Sequence, residues 1–428
     1  MTVATQPAPQ TLAQKLVARA AGRSSVTPGE IVTCQVDLAM FHDSSGPRRL
    51  KPMLERLGAK VWDPDKIVLI TDHYVPAIDE DSRKIIRIAR DWAGEVGLKN
   101  FYDGIGICHV VLPQKGHLTP GMFAVGGDSH SPTGGAFGAY MFGVGATEML
   151  GVVVTGEIWL KVPHTLLMRW NNRLGAGVTA KDMMLYLCGK FGLDGAQYQV
   201  VEFAGTAISA LDMQERMTLT NMTAELGAQT GLIAPDAVTA AFLREAGARH
   251  VDPAAWQGDP DAATLATHDF DAAALAPQIA APFSPANAAA AGDYQERIDI
   301  AYIGACTGAK LTDLRAAAQV LKGKKIAAGV ELLVGPASKL DQDQAEADGT
   351  LQTIIEAGAK ILPTACGACA GYGEYRFGED TNVISSTARN FKGRMGAASS
   401  RVFLGSPYSV AAAAVQGRIC DPRELLGK

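Results

Sequence analysis

From Ile298 to Gly417 the chain alternates short apolar runs with stretches of helical periodicity, and this alternation constrains the fold more than any other feature. IDIAYIGA, GVELLVGPA, AKILP and NVISS read as strands, and LTDLRAAAQVLKG, LQTIIEAG and the terminal SVAAAAVQG read as helices. Such alternation predicts a parallel sheet covered by helices, with functional residues at the carboxyl ends of the strands. Three cysteines fall there: Cys306 after the first run, and Cys366 and Cys369 in a CGAC motif after AKILP.

A cubane iron–sulfur cluster needs one thiolate for each iron, so three cysteines leave one iron without a protein ligand, open as a Lewis acid. A CxxC alone also fits a thioredoxin-like redox pair, half of a zinc site, or two idle thiols. The additional Cys306 and the glycine-containing CGAC loop favour iron–sulfur, and no fourth ligand for structural zinc stands nearby.

The chain has 428 residues, enough for two to four domains, and the pattern reads as three: 1–160, 161–292 and 293–428. The third is the alternating unit. The first carries KIVLITDH (66–73) as a buried strand and RKIIRIARDWAGEV as a helix with Ile85, Ile88, Ala89 and Trp92 inward, behind a disordered tail of about ten residues. In the second, Thr179 and Asp182 form a capping box for AKDMMLYLCGKFG, and the Ala/Pro-rich 252–292 is a connection with little core.

With 47% hydrophobic and 19% charged residues, the composition fits a compact α/β enzyme rather than a fibre or a disordered chain. A net charge of −5 without a basic stripe argues against nucleic acid. The N-terminus lacks signal-peptide features and the longest apolar stretch is interrupted by Glu148, which argues against a membrane. Seven cysteines without regular spacing fit a reducing, cytoplasmic setting, and Cys34, Cys188 and Cys420 read as core thiols.

Acid–base groups recur in short polar motifs: Asp72–His73 in TDHYVP, His109 in GICHV, Asp128–Ser129–His130 in GGDSHSPTGG, and Glu225 in TLTNMTAELGA. A histidine beside a carboxylate has its tautomer fixed and its basicity raised, as general acid–base chemistry requires. Any one motif could be a hydrogen-bonded loop; together they point to proton transfer. Arg389 and Arg394 in ARNFKGRMG supply guanidinium forks suited to carboxylates, with exposed surface arginines as the plain alternative.

Through VWDPDKIVLITDH, GICHVVLPQKG, GGDSHSPTGGAFGAYMFG, MTLTNMTAELGAQTG, YIGACTGAKLTDLR and ARNFKGRMG, the chain resembles the aconitase superfamily. The likeness runs from Leu16 to Leu426 and is strongest to the large subunits of the 3-isopropylmalate dehydratase, homoaconitase and 2,3-dimethylmalate dehydratase group. It implies three α/β domains with parallel-type sheets and no swivel domain. It also implies a [4Fe-4S] cluster on Cys306, Cys366 and Cys369, and reversible dehydration of a small hydroxy-di- or tricarboxylate. By the same resemblance, Asp72–His73, His109 with Asp128, and His130 with Glu225 pair for protonation, while Ser129, Asn221 and His42 lie near substrate. Arg389 and Arg394 hold carboxylates.

The resemblance further implies a separate small swivel-domain subunit supplying the catalytic serine, so that the chain alone is inactive or nearly so. Two positions depart from the family pattern: Gly308 and Ala388 stand where asparagines are usual. An alternative from another class is a non-catalytic binding or regulatory protein that retains the fold, favoured by those two losses and opposed by the intact acid–base motifs.

Overall fold

The computed structural model describes residues 8–248, 251–372 and 374–427. Its centre is a five-stranded parallel sheet in the order Asn100–Asp103, Ile67–Thr71, Leu38–His42, Phe123–Gly126, Tyr140–Gly143. Leu38–His42 comes first in the chain but lies in the middle of the sheet. The connections therefore leave it in both directions, and the carboxyl ends of Leu38–His42 and Phe123–Gly126 bracket a topological switch point. Every residue of Leu38–His42, Ile67–Thr71 and Phe123–Gly126 is buried, as expected of parallel strands covered on both faces.

The helix Glu80–Val96 packs against this sheet. Asp79 and Ser82 close a capping box, Glu80 and Asp81 favour the positive N-terminus, and left-handed Gly97 ends it. Ile86, Ala89, Trp92 and Ala93 form its buried stripe, whereas Ile85 and Ile88, expected inward, are half-buried because the stripe runs one residue over.

A second parallel sheet runs Thr230–Ile233, Val200–Ala204, Thr165–Asn171, Ala266–Asp271. The third has seven strands: Ala288–Ala290, Gln278–Ala280, Arg401–Gly405, Asn382–Ser385, Ile300–Ile303, Glu331–Val334 and Lys360–Ile361. The last five are mutually parallel, and the first two add antiparallel at one edge. The α/β class with parallel sheets is thus as expected, and Thr179–Asp182 caps the helix Ala180–Phe191.

Residues 252–292 differ from the expectation of a connection with little core. They supply Ala266–Asp271 to the second sheet and Gln278–Ala280 with Ala288–Ala290 to the third, so the third sheet begins before residue 293. The expected N-terminal tail lies mostly outside the described residues, but Gln10 is already buried and its backbone N–H donates to Asp259 Oδ2 at 2.8 Å. No helix among the described residues is long and apolar enough to cross a membrane. All seven cysteines are free, and Cys34, Cys188 and Cys420 are buried as core thiols.

One apolar core runs from Met40, Val68 and Ile70 of the first sheet through Cys108 and Val111 to Ile303, Leu314 and Val334 of the third. It draws the carboxyl ends of the two sheets toward each other. The helical turn Ser131–Phe137, between the last two strands of the first sheet, meets the second sheet still more closely: a Cβ on Gly135 would lie 1.7 Å from the carbonyl oxygen of Gly231 in the strand Thr230–Ile233. Backbone cannot yield as a side chain does. Gly135→Ala is therefore expected to lower unfolding stability by about 1–3 kcal/mol in urea titration, and an unchanged midpoint would contradict this packing.

Candidate functional site

The carboxyl ends of the first sheet carry Asp72, and this residue fixes three segments. Its Oδ1 accepts from His73 Nδ1 at 2.7 Å, its Oδ2 accepts the Cys108 backbone N–H at 2.7 Å, and its own carbonyl accepts the Cys366 N–H at 2.9 Å. The last bond ties the first sheet directly to the cysteine loop of the third. Burial alone would raise the Asp72 carboxyl, but the adjacent His73 charge overrides it and holds the group down to about 2. Burial would likewise lower His73, but Asp72 raises it to about 10.

Asp43, not anticipated from the sequence, is the scaffold beneath. Its carboxylate accepts the backbone N–H groups of Asp72, His73 and Tyr74 at 3.2, 3.1 and 2.7 Å. His42, at the end of the central strand, stacks on His73 with ring centroids 3.8 Å apart and planes 7° from parallel. Its Nδ1 accepts from the Ser44 N–H at 3.2 Å, which leaves the proton on Nε2, 3.5 Å from Asp128 Oδ2.

Asp128 follows the strand Phe123–Gly126 across the switch point. His109 Nε2 donates to its Oδ1 at 2.8 Å, and the His130 backbone N–H donates to the same oxygen at 2.7 Å. Against burial, the His109 charge and these bonds hold Asp128 well below the usual carboxylate range. His130 Nε2 donates to Glu225 Oε1 at 3.0 Å, and Arg389 Nε donates to that oxygen at 2.7 Å. Arg389 Nη1 also donates to Ser129 Oγ at 2.8 Å. One chain of contacts therefore runs from the first sheet through Glu225 of the second unit to the Arg389 loop of the third.

The thiols close the site. Asn221 Nδ2 donates to Cys306 Sγ at 3.2 Å and to Thr133 Oγ1 at 2.8 Å. Burial pushes the Cys306 thiol up to about 12, whereas the hydrogen bond from Cys366 and the Arg394 guanidinium draw Cys369 toward thiolate. Ala305, just before Cys306, holds a left-handed backbone (φ 68°), which costs a residue with a Cβ of order 1–3 kcal/mol. All fourteen residues singled out in the sequence thus lie in these connected segments, His42 at a strand end, His109 and Asn221 on helices, although Arg394 sits beside Cys369 rather than beside Arg389's partners.

The departures at 308 and 388 have a local reason in the first case. A Cβ on Gly308 would lie 2.3 Å from both Cβ and Oγ of Ser386. That serine occupies the space, and its Oγ donates to the Gly304 and Gly308 carbonyls at 3.1 and 3.2 Å. Ala388 is buried in apolar packing, and nothing in the structure explains why alanine stands there.

Among the described residues, five buried side-chain polar atoms lack a partner, and three are here: His42 Nε2, Asn221 Oδ1 and Arg394 Nε. A site that leaves costly groups unmet is built around something further. A single tetrahedral zinc would bring its sulfurs roughly 3.8 Å apart, from Zn–S bonds of about 2.3 Å. The groups that gather three ligand atoms within 4.8 Å of one another are His42–Asp43–Asp72–His73 and His109–Asp128–His130, not the three thiols. Three thiols from two loops, with the unmet Asn221 Oδ1 and Arg394 Nε beside them, are a donor set that fits an iron–sulfur cluster.

Parallel sheets that aim thiols, His–carboxylate pairs and a guanidinium at one place define an α/β protein with a polar, thiol-bearing site. The chain belongs to the aconitase family: the model described as "Aconitase family (aconitate hydratase)" matches residues 14–417. It is 40% identical to 3-isopropylmalate dehydratase large subunit 1 of Methanopyrus kandleri, over 97% of this chain and 100% of that one. The same identity holds to the 3-isopropylmalate dehydratase large subunit of Moorella thermoacetica, over 97% and 99%. A probable methanogen homoaconitase large subunit of Methanosarcina mazei is 42% identical over 91% and 99%. These are names of hydro-lyases.

The Asp72–His73 pair sets a pH dependence. Asp72, lowered from 3.8 to about 2, contributes stability that is complete above 3.8 and lost as pH falls through about 2. His73, raised from 6.5 to about 10, contributes stability that is complete below 6.5 and lost as pH rises through about 10. Asp72→Asn is therefore expected to cost roughly 3–5 kcal/mol near pH 5 and progressively less toward pH 10. A deficit in melting temperature that does not vary with pH would show that the pair is not ionised.

Proposed function

We propose that the chain is the large subunit of a [4Fe-4S]-dependent hydro-lyase. Its reaction is the reversible dehydration and rehydration of a small hydroxy-di- or tricarboxylate of the 3-isopropylmalate, dimethylmalate or homocitrate type. The observation that carries this reading is the meeting of three thiols from two loops of one sheet with His–carboxylate pairs at the switch point of another. Cys306, Cys366 and Cys369 would hold the cluster, with the unmet Asn221 Oδ1 and Arg394 Nε beside them. When bound, the cluster supplies Lewis acidity at the iron that has no protein ligand.

The side chains divide the remaining work. The His109–Asp128 pair, joined through Nε2, holds the proton that the departing hydroxyl takes up. His73 and Asp72 keep a buried positive charge stacked under His42, whose Nε2–H faces the site. Glu225 takes Arg389 Nε and Ser129 takes Nη1, which orients the guanidinium and leaves its Nη2 side for a substrate carboxylate. A cavity of about 430 Å³ opens beside Asp128, Ser129 and Arg389, with Val144, Tyr198 and Ala224 in its wall. That volume suits a small acid.

The relatives carry the name of large subunits, which supports a separate small, swivel-domain partner that brings the serine for abstraction of the carbon-bound proton. A larger groove of about 820 Å³ runs from Gly143 and Tyr198 to exposed Trp159 and contains none of the thiols or pairs, so it is read as surface rather than substrate site. The reduced thiols fit a cytoplasmic protein.

Anaerobic reconstitution is expected to load about four irons and four sulfides per chain, with a large loss in each of Cys306→Ser, Cys366→Ser and Cys369→Ser. Mixed with its small subunit, the loaded chain is expected to form unsaturated product from one of isopropylmalate, dimethylmalate or homocitrate, seen by ultraviolet absorbance. Failure to take up iron and sulfide, together with no turnover of any of them, would contradict the reading.

A further inference from the structure

Three Lys or Arg side chains are buried among the described residues: Lys181, Arg216 and Lys310. Two have carboxylate partners, Arg216 with Asp236 at 2.7 Å and Lys310 with Asp313 at 2.7 Å. Lys181 has none within 4.0 Å among the described residues. Its Nζ donates to the Thr387 carbonyl at 2.7 Å and to Thr307 Oγ1 at 3.5 Å, and touches Met222 Sδ at 3.9 Å.

An ammonium held dry without an anion is expensive, and burial draws this one down to about 8. The two loops it grips are informative. Thr307 adjoins Cys306, and Thr387 lies two residues before Arg389. Gly308 and Ala388, the two positions without the usual asparagine, are the next residues along each. Among the negative charges that act on Lys181, Asp313 comes first but is already paired with Lys310 at 2.7 Å, and those of Cys369 and Cys306 come next.

We propose that Lys181 is a positioning residue for the thiol-bound group: it supplies the counter-charge for thiolates loaded with their cluster and clamps the Cys306 loop to the Arg389 loop. The inference rests on the proposed cluster. The missing anion is then the loaded thiolate set, which is absent from the polypeptide alone. This accounts for a lysine at a position where an apolar side chain would cost the unloaded fold less.

The test compares Lys181→Met, which keeps the length and removes the charge, with Lys181→Arg, which keeps the charge. Unloaded Lys181→Met is expected to melt at or above the wild-type temperature, because an unpaired buried cation has been removed. Anaerobically loaded, the same variant is expected to release iron to a chelator about tenfold faster than wild type, the effect typical of groups that support metal ligands. Lys181→Arg is expected to stay close to the wild-type release rate.

A merely structural lysine would lower the melting temperature of the unloaded chain and leave iron release unchanged, and that result overturns the proposal. Loading of the wild type separates the two readings. If wild type loads and Lys181→Met releases iron at the same rate, the role of Lys181 alone falls. If wild type takes up no iron, both fall together.

Discussion

The carboxylate of Asp72, at the end of a fully buried strand, is the interaction on which the rest of the site depends. A charge in that position is costly unless every lone pair is met, and here it is met by His73 on one oxygen and by the start of the helix Cys108–Gln114 on the other. Its carbonyl takes the Cys366 N–H. One residue thereby sets the orientation of a buried histidine, the helix that presents His109, and the loop that presents two thiols. Asp43 performs the same service one layer down, binding three successive backbone N–H groups with a single carboxylate.

The architecture makes this meeting possible because parallel strands deliver all their carboxyl ends to one edge. His42, Asp72 and Asp128 come from three neighbouring strands of the first sheet, and Cys306, Cys366 and Arg389 follow three strands of the third. A shared apolar core holds those edges face to face. Close approach of backbone at Gly135, and of Ser386 to Gly308, then removes the slack that would let the loops drift. The rigid scaffold carries the strain of Ala305 and the unmet polar atoms that a ligand would satisfy.

Four strands of the third sheet were legible in the sequence as short apolar runs separated by helical periodicity, whereas Arg401–Gly405 was not read. The central strand Leu38–His42 was not: LAMFH has neither alternation nor a β-branched residue, and only its neighbours make it a strand. The three-residue strands at 278–280 and 288–290, rich in alanine, exist by pairing alone and carry no local signal. At the site, Asp72–His73 could be read because the partners are adjacent, whereas Glu225 meets His130 and Arg389 across distances in sequence that no motif spans, and the family resemblance supplied those roles. Asp43 looks like an ordinary turn aspartate in FHDSS, and Lys181 like a solvated lysine in the first turn of a capped helix; burial sets both apart.

If the thiols and the acid–base pairs form a single site around one occupant, loading must be felt by all three units together. Hydrogen–deuterium exchange of the chain before and after anaerobic reconstitution with iron and sulfide tests this most directly. The account predicts slower amide exchange in three separate places: the loops following Ile67–Thr71 and Ile300–Ile303, and the turn Met222–Leu226, as well as around Cys366. Slowing confined to the segment around Cys366 and Cys369 would mean an isolated CxxC metal site and would contradict it.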